Sequence, residues 1–283
     1  MAALSTRPGP VVELADRLRG QRVVVLTGAG VSTESGIPDY RSPEARTRVR
    51  KPIQGPEFVR SDSVRKRYWA RAMAGWETFR RARPGAAHRA VAELEAHGLV
   101  TRVITQNVDR LHQAAGSRGV IELHGALAEV LCLACGATES RESVQERMRA
   151  ANRAWTASVA MAAPDGDAEL NDDDVAAFIP PACERCEGSL KPHVVFFGEN
   201  VPSPVVAVAF ASIDDASALL VAGTSLAVFS GYRFLHRAVA RGIPIAIINR
   251  GAVRGEEHAF LKIEASTGAT LNELARRLLG DRE

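Results

Sequence analysis

Four cysteines stand in two pairs of equal spacing, CLAC at Cys132 and Cys135 and CERC at Cys183 and Cys186. Each C-x-x-C turn can aim two thiolates at one point, and two such turns supply the tetrahedral sulfur set of a structural zinc ion. Redox-active thiols are the competing reading. The stretch between the pairs, Gly136 to Ala182, is longer than a compact ribbon needs. A closed set of four sulfurs leaves no position for water, so such a metal would fold a small polar module rather than carry out a reaction.

A second group of chemically capable residues begins at Thr27. The run TGAGVSTESGIPDYR follows the apolar VVVL of Val23–Leu26. A strand that ends in Gly-Ala-Gly turns sharply, and its backbone N–H groups can face a phosphate. The third glycine, Gly36, comes too late for G-x-G-x-x-G, and no acid follows about 20 residues on to hold a ribose. A hydride-transferring dehydrogenase therefore fits poorly. Four more polar clusters follow apolar runs: QNVD from Gln106, HG at His124, GTS from Gly223 and NRG from Asn249.

Those clusters need elements to hold them. The apolar runs VVVLT (23–27), VTRVITQ (100–106), VIEL (120–123), ALLVAG (218–223) and IPIAIIN (243–249) read as strands. Between them ADRLRG, AAHRAVAELEAHG (86–98) and YRFLHRAVARG (232–242) read as helices, the last two closing on glycine. Strands alternating with helices predict an α/β fold, a Rossmann-like parallel sheet with helices on both faces. All five polar clusters would then meet at the carboxyl ends of the strands, where ligands bind in such sheets. Residues 1–41, 86–131 and 191–283 form this predicted domain. Residues 42–85, rich in arginine and broken by prolines, and residues 132–190, with the cysteine pairs, are expected to form a smaller zinc-ribbon and helical domain made of two insertions. PDGDAELNDDD (164–174) reads as a polar loop.

Composition narrows the field further. With 283 residues, 46% apolar and 24% charged, the chain has the profile of an ordinary globular protein with ample core. A net charge of +3 makes no case for nucleic acid, and the basic residues are nearly all arginine, with lysine only at 51, 66, 191 and 262. No run approaches the ~18 apolar residues of a membrane span. The first residues lack the apolar core of a secretory signal, so a cytoplasmic location is expected, with thiols reduced.

Taken together and in order, GAGVSTESGIPDYR, TQNVDRLH (105–112), ELHG (122–125), KPHVVFFGE (191–199), GTSL (223–226) and INRG (248–251) resemble the sirtuins. The resemblance spans nearly the whole chain, and RYWAR (67–71) with Gly75–Trp76 looks most like the class II, mitochondrial-type branch. It implies an NAD-dependent protein-lysine deacylase that moves the acyl group to ADP-ribose and releases nicotinamide, with NAD and one structural zinc ion as its cofactors. Acyl-lysine proteins or peptides would be its partners. A loop that must bend and expel nicotinamide would explain why the glycine turn carries so many side chains.

The resemblance assigns roles residue by residue. Gly28, Ala29 and Gly30 would form the phosphate turn. Glu34, Ile37, Asp39, Tyr40 and Arg41 would close over the cofactor, although Glu34 and Arg41 also read as a surface ion pair. Gln106, Asn107, Val108 and Asp109 would hold ribose and nicotinamide, with Asn107 placing the attacked carbon; a polar turn capping the next helix is the plainer reading. His124 would be the base, its ordinary pKa near 6.5 suited to the task, whereas many histidines are structural. Gly223, Thr224, Ser225, Asn249, Arg250, Gly251 and Thr267 would line the adenosine side. Val195, Phe197, Gly198 and Glu199 would pair with a substrate peptide as a strand, or serve as a buried strand. Tyr68 and Arg71, at i and i+3, could grip an acidic or longer acyl chain, or fall so by chance in an arginine-rich helix. A protein mono-ADP-ribosyltransferase is the alternative enzyme. A non-catalytic NAD sensor is a third reading, but would have no need of a base.

Overall fold

The structure is a computed structural model that describes residues 9–39, 53–156, 170 and 172–280. Tyr40 and Arg41 lie outside the described residues, as does most of the acidic 164–174 stretch.

Six strands form a wholly parallel sheet in the order β3-β2-β1-β7-β8-β9. They are β1 (Val23–Thr27), β2 (Val100–Thr105), β3 (Val120–Glu122), β7 (Ala218–Ala222), β8 (Ile245–Ile248) and β9 (Leu261–Ile263). β1, β7 and β8 are buried along their whole length, which is why they read as continuous apolar runs. The strand order reverses between β1 and β7, so a crevice opens beyond their carboxyl ends.

Alternation along each strand feeds two cores. Val23 and Val25 face a layer made by α1 (Pro10–Leu18), α4 (Ala86–Ala96) and α10 (Thr267–Leu279), through Leu14, Val91 and Leu271 among others. Val24 and Leu26 face α8 (Ser203–Asp215) and α9 (Phe229–Ala240), through Ile213, Phe234 and Leu235. Each fully buried aliphatic side chain contributes roughly 1.5–3 kcal/mol. A short α5 (Leu111–Ala114) follows β2.

The second unit is a three-stranded antiparallel sheet, β5-β4-β6, made of β4 (Gly125–Cys132), β5 (Thr138–Ser140) and β6 (Leu190–Val194). It thus takes in chain on both sides of the cysteine pairs. α2 (Gly55–Arg60), α3 (Asp62–Arg81), α6 (Arg141–Ala151) and α7 (Asp172–Ala177) pack on it. α3 starts on the Ser61 hydroxyl, which accepts the Val64 N–H. The shared core joins Phe58, Tyr68, Trp69, Val130, Val144, Met148 and Phe178 with Cys132 and Cys183. Among the described residues no helix is long and apolar enough to cross a membrane.

Candidate active site

The crevice is built where two backbones touch. Gly30 N–H donates to the Gly223 carbonyl at 2.8 Å, and a Cβ on Gly30 would stand 2.8 Å from both the Cα and the O of Gly223. Gly223 itself has φ +61, and a Cβ there would meet the Val31 nitrogen at 2.6 Å. Only glycine at both positions lets the β1 and β7 loops close this far. Thr267 at the start of α10 donates to the Gly30 carbonyl from the other side.

Beside this junction the QNVD turn is held by directed hydrogen bonds. Gln106 Nε2 donates to Thr224 Oγ1 at 2.9 Å, and Asn107 Nδ2 donates to the Gly28 carbonyl at 3.1 Å and to Ser32 Oγ at 3.0 Å. Ser32 in turn donates to Asp109 Oδ2 at 2.6 Å, while Asp109 Oδ1 accepts the Leu111 N–H at the start of α5. Asp109 therefore braces the turn into α5 and belongs to the crevice at once.

Behind Ser32 lie two buried histidines, His88 and His112, with ring centroids 4.8 Å apart. His88 Nδ1 accepts the Gly85 N–H, so a neutral His88 carries its proton on Nε2, which faces Ser32 Oγ at 3.4 Å. Desolvation pulls the His88 pKa below its ordinary value, opposed by the charge of Asp109. It pulls His112 down to about 3, with His88 adding to the effect. Both rings are neutral dipoles at physiological pH.

His124 follows β3 at the mouth of the crevice. Its Nδ1 lies 2.8 Å from the Gln106 carbonyl, which can only accept, so the neutral ring keeps its proton there. Nε2 is left as the lone pair, and the Ser230 hydroxyl of α9 donates to it at 2.9 Å. Burial lowers the His124 pKa below 6.5, against the opposing effect of the Gln106 carbonyl. The next residue, Gly125, turns with φ +73, and a Cβ there would lie 2.1 Å from the His193 carbonyl. The HG pair is thus a histidine plus the turn that leads into β4.

Around these groups is a cleft of about 1740 Å³, well above the ~300–1,000 Å³ of a single small-molecule site. It is lined by Gly28, Ala29, Gly30, Glu34, Ile37, Asp39, Gln106, Asn107, Val108, Asp109 and His124, and by Gly223, Thr224, Ser225, Asn249, Arg250, Gly251 and Thr267. Tyr68, Val195, Phe197, Gly198 and Glu199 are also in its wall. Arg71 is not among its lining residues. Glu34 accepts the Ser266 hydroxyl at 2.6 Å.

Comparison with known proteins decides the family. The profile of the Sir2 family matches residues 28–230. The chain belongs to the Sir2 family. An "NAD-dependent protein deacetylase 2" of Bradyrhizobium diazoefficiens is 50% identical over 253 residues, 89% of this chain and 93% of that protein. An "NAD-dependent protein deacetylase 1" of Streptomyces coelicolor is 49% identical over 265 residues, 94% of this chain and 89% of its own. A solved structure described as "Sir2-p53 peptide-NAD+" is 32% identical, covers 94% of this chain and 96% of that chain, and has a TM-score of 0.73.

In this sirtuin the four cysteines converge apart from the cleft. Their sulfurs all lie within 4.8 Å of one another, with Cys132 and Cys186 3.5 Å apart and Cys135 and Cys183 3.8 Å apart. A tetrahedron with Zn–S of ~2.3 Å has edges of about 3.8 Å, so the set could hold a structural zinc ion. Backbone N–H groups of Cys135 and Ala134 hold the Cys132 thiol down to about 6. At Cys186 the Gly188 N–H is outweighed by the crowding of the other sulfurs, which pushes that thiol up to about 12, so four thiolates this close need a cation between them.

The loop after β6 is strapped from below. Lys191, 8% exposed, pairs with Glu199 at 3.0 Å and sits over the Phe196 ring, while Glu199 also accepts the Phe196 N–H. Phe197 on this loop and Phe229 on α9 stand 45% and 59% exposed.

Five residues in and behind the site of this sirtuin have no role in the sequence reading: Ser32, His88, His112, Ser230 and Arg110. Arg110 has a left-handed backbone (φ 58) and pairs with Glu122 of β3 at 3.2 Å and Glu129 of β4 at 2.7 Å. Ser32 lies inside the quoted glycine loop, and Arg110 and His112 lie inside the quoted TQNVDRLH run. His88 and Ser230 depend on partners far along the chain, Ser32 and His124, and no local pattern marks them.

Proposed function

We propose that this sirtuin is an NAD-dependent protein deacetylase acting on acetyl-lysine in proteins or peptides. One observation carries the reading: a neutral imidazole whose lone pair at Nε2 is aimed by the Gln106 carbonyl behind it and the Ser230 hydroxyl beside it, in a cleft large enough for two ligands. The names of relatives near 50% identity over most of the chain support it.

The residues fit the cofactor. The close approach of Gly30 and Gly223, which any Cβ would block, brings the β1 and β7 loops together in the wall of the cleft. Gly28, Ala29, Gly30, Thr224 and Ser225 would hold the diphosphate, and Asn249, Arg250, Gly251 and Thr267 the adenosine half. Gln106, Asn107, Val108, Asp109, Ile37 and Asp39 would hold the nicotinamide half, with Glu34, Tyr40 and Arg41 closing the loop. NAD supplies, when bound, an electrophilic ribose carbon and a nicotinamide leaving group. Asn107, tied to Gly28 and Ser32, orients one face of the pocket. His124 accepts a proton at Nε2 while Nδ1–H stays on the Gln106 carbonyl, so the ring need not turn to do so. Val195–Glu199 and Val228–Phe229 form two edges between which a peptide strand fits. The cysteine set would hold one zinc ion with no part in the reaction.

Tyr68 lies in the wall with Ile53 and Phe196, and the deacetylase names of the relatives support acetyl as the acyl group. The RYWAR run and Gly75–Trp76 support a place in the class II, mitochondrial-type branch.

The test is nicotinamide release from NAD with an acetyl-lysine peptide. His124→Ala should lower kcat by about 10²–10⁴ or more, with zinc content and melting temperature unchanged. Deacetylation near the wild-type rate by that variant would overturn the reading.

A further inference from the structure

Arginines on α9 meet very different surroundings. Arg237 forms a two-pronged pair with Asp214 at 2.7 and 2.8 Å, and Arg241 donates to the carbonyls of Ile213, Asp214 and Ala216 at the end of α8. Arg233, one turn earlier than Arg237, has no such partner. Its Nε is enclosed without an acceptor, and among the described residues no hydrogen bond or ion pair engages the guanidinium. It is held in place by the Phe229 ring, 5.1 Å from its centroid. A donor enclosed without an acceptor is costly unless something completes it.

The position of that charge says what would. Arg233 lines the large cleft and also a smaller adjoining pocket of about 390 Å³. The pocket lies between α9 and the start of α8, with Asn200, Ser203, Val206 and Phe210 in its wall. α8 begins without a side-chain cap, so its positive end adds to the field at that place. Glu199, the nearest acid along the loop, is already taken by Lys191 and the Phe196 N–H. The arginine is one helical turn from Ser230, which touches His124, yet it sits on the side of the Val195–Val201 loop rather than at the glycine junction.

We propose that Arg233 and this pocket form a subsite for the carboxylate of an acidic side chain, glutamate above all, carried by the protein substrate close in sequence to the acetyl-lysine. The inference rests on the deacetylase reading. Val206 and Phe210 would cover the methylenes of the glutamate, Asn200 and the α8 N-terminus would flank its carboxylate, and the guanidinium would pair with it. Acidic flanking residues would then set substrate choice in a groove that otherwise reads peptide backbone.

The test uses acetyl-lysine peptides identical except for Glu or Gln at one flanking position at a time, with the wild-type protein and NAD at saturation. At one register the Glu peptide should show roughly five- to tenfold higher kcat/KM, through KM, and the advantage should shrink as salt rises. Arg233→Gln should erase that ratio while leaving kcat on the Gln peptide and KM for NAD unmoved, and Arg233→Glu should turn the preference toward a Lys peptide. A wild type with no register that favours Glu, a preference that survives Arg233→Gln, or a variant altered in KM for NAD instead would each overturn the proposal. If no peptide is deacetylated at all, the failure belongs to the deacetylase reading. Calorimetric binding of the Glu and Gln peptides to wild type and Arg233→Gln then decides the subsite by itself, with equal affinities sinking it.

Discussion

At the scale of single residues, the site works by fixing which atom of each side chain is free. The Gln106 carbonyl settles the tautomer of His124, and desolvation keeps that ring neutral below pH 6.5. The active form is the unprotonated one, so the acid limb of kcat/KM should have its midpoint below pH 6.5. A pH profile of the free enzyme whose acid limb lies above 7 would contradict this geometry. Much at this scale was legible: GAG, QNVD, HG, GTS and NRG stand out because glycine and short polar residues punctuate apolar runs. What could not be read is the second layer. Ser32 and His88 meet across 56 residues, and Ser230 reaches His124 across 106. Such partners are chosen by packing, which leaves no short-range spacing to find.

At the scale of elements, the parallel strands and the small sheet differ in what sustains them. β1, β7 and β8 are sealed between two helical layers. The three-stranded sheet has a thin core in which Cys132 and Cys183 are themselves members, and Cys132 pairs with Leu190 across the β4–β6 ladder. A structural zinc ion in such a site contributes on the order of 10 kcal/mol. Stripping it with a strong chelator should therefore open residues 132–190 to limited proteolysis before the six-stranded sheet is cut. Equal protease resistance with and without chelator would count against a metal-dependent module. The same contrast explains what the sequence concealed. Fully buried strands announce themselves as VVVLT or ALLVA. β4, GALAEVLC, mixes buried and half-exposed positions, and β9 is only Leu261–Ile263, too short for any period to show.

Across the whole molecule, buried neutral histidines make folding sensitive to acid. His88, His112 and His124 all have pKa values lowered by desolvation, His112 to about 3. In the unfolded chain each would titrate near 6.5, so below that pH the unfolded state binds more protons and stability falls. Each such histidine can contribute a slope of up to about 1.4 kcal/mol per pH unit, continuing for His112 toward about pH 3. Melting temperature should thus drop between about pH 6.5 and 5, before carboxylates titrate, and His112→Gln should flatten the drop; a flat wild-type curve over that range would refute the account. The sheet order has a consequence of another kind. β1 and β7 lie side by side at the centre, yet Val23 and its neighbour Ala218 are 195 residues apart in the chain. On the ribosome the first strand must wait for most of the polypeptide before its central partner emerges, and closing so long a loop is slow. The crevice between them is thus among the last features to exist in a newly made molecule.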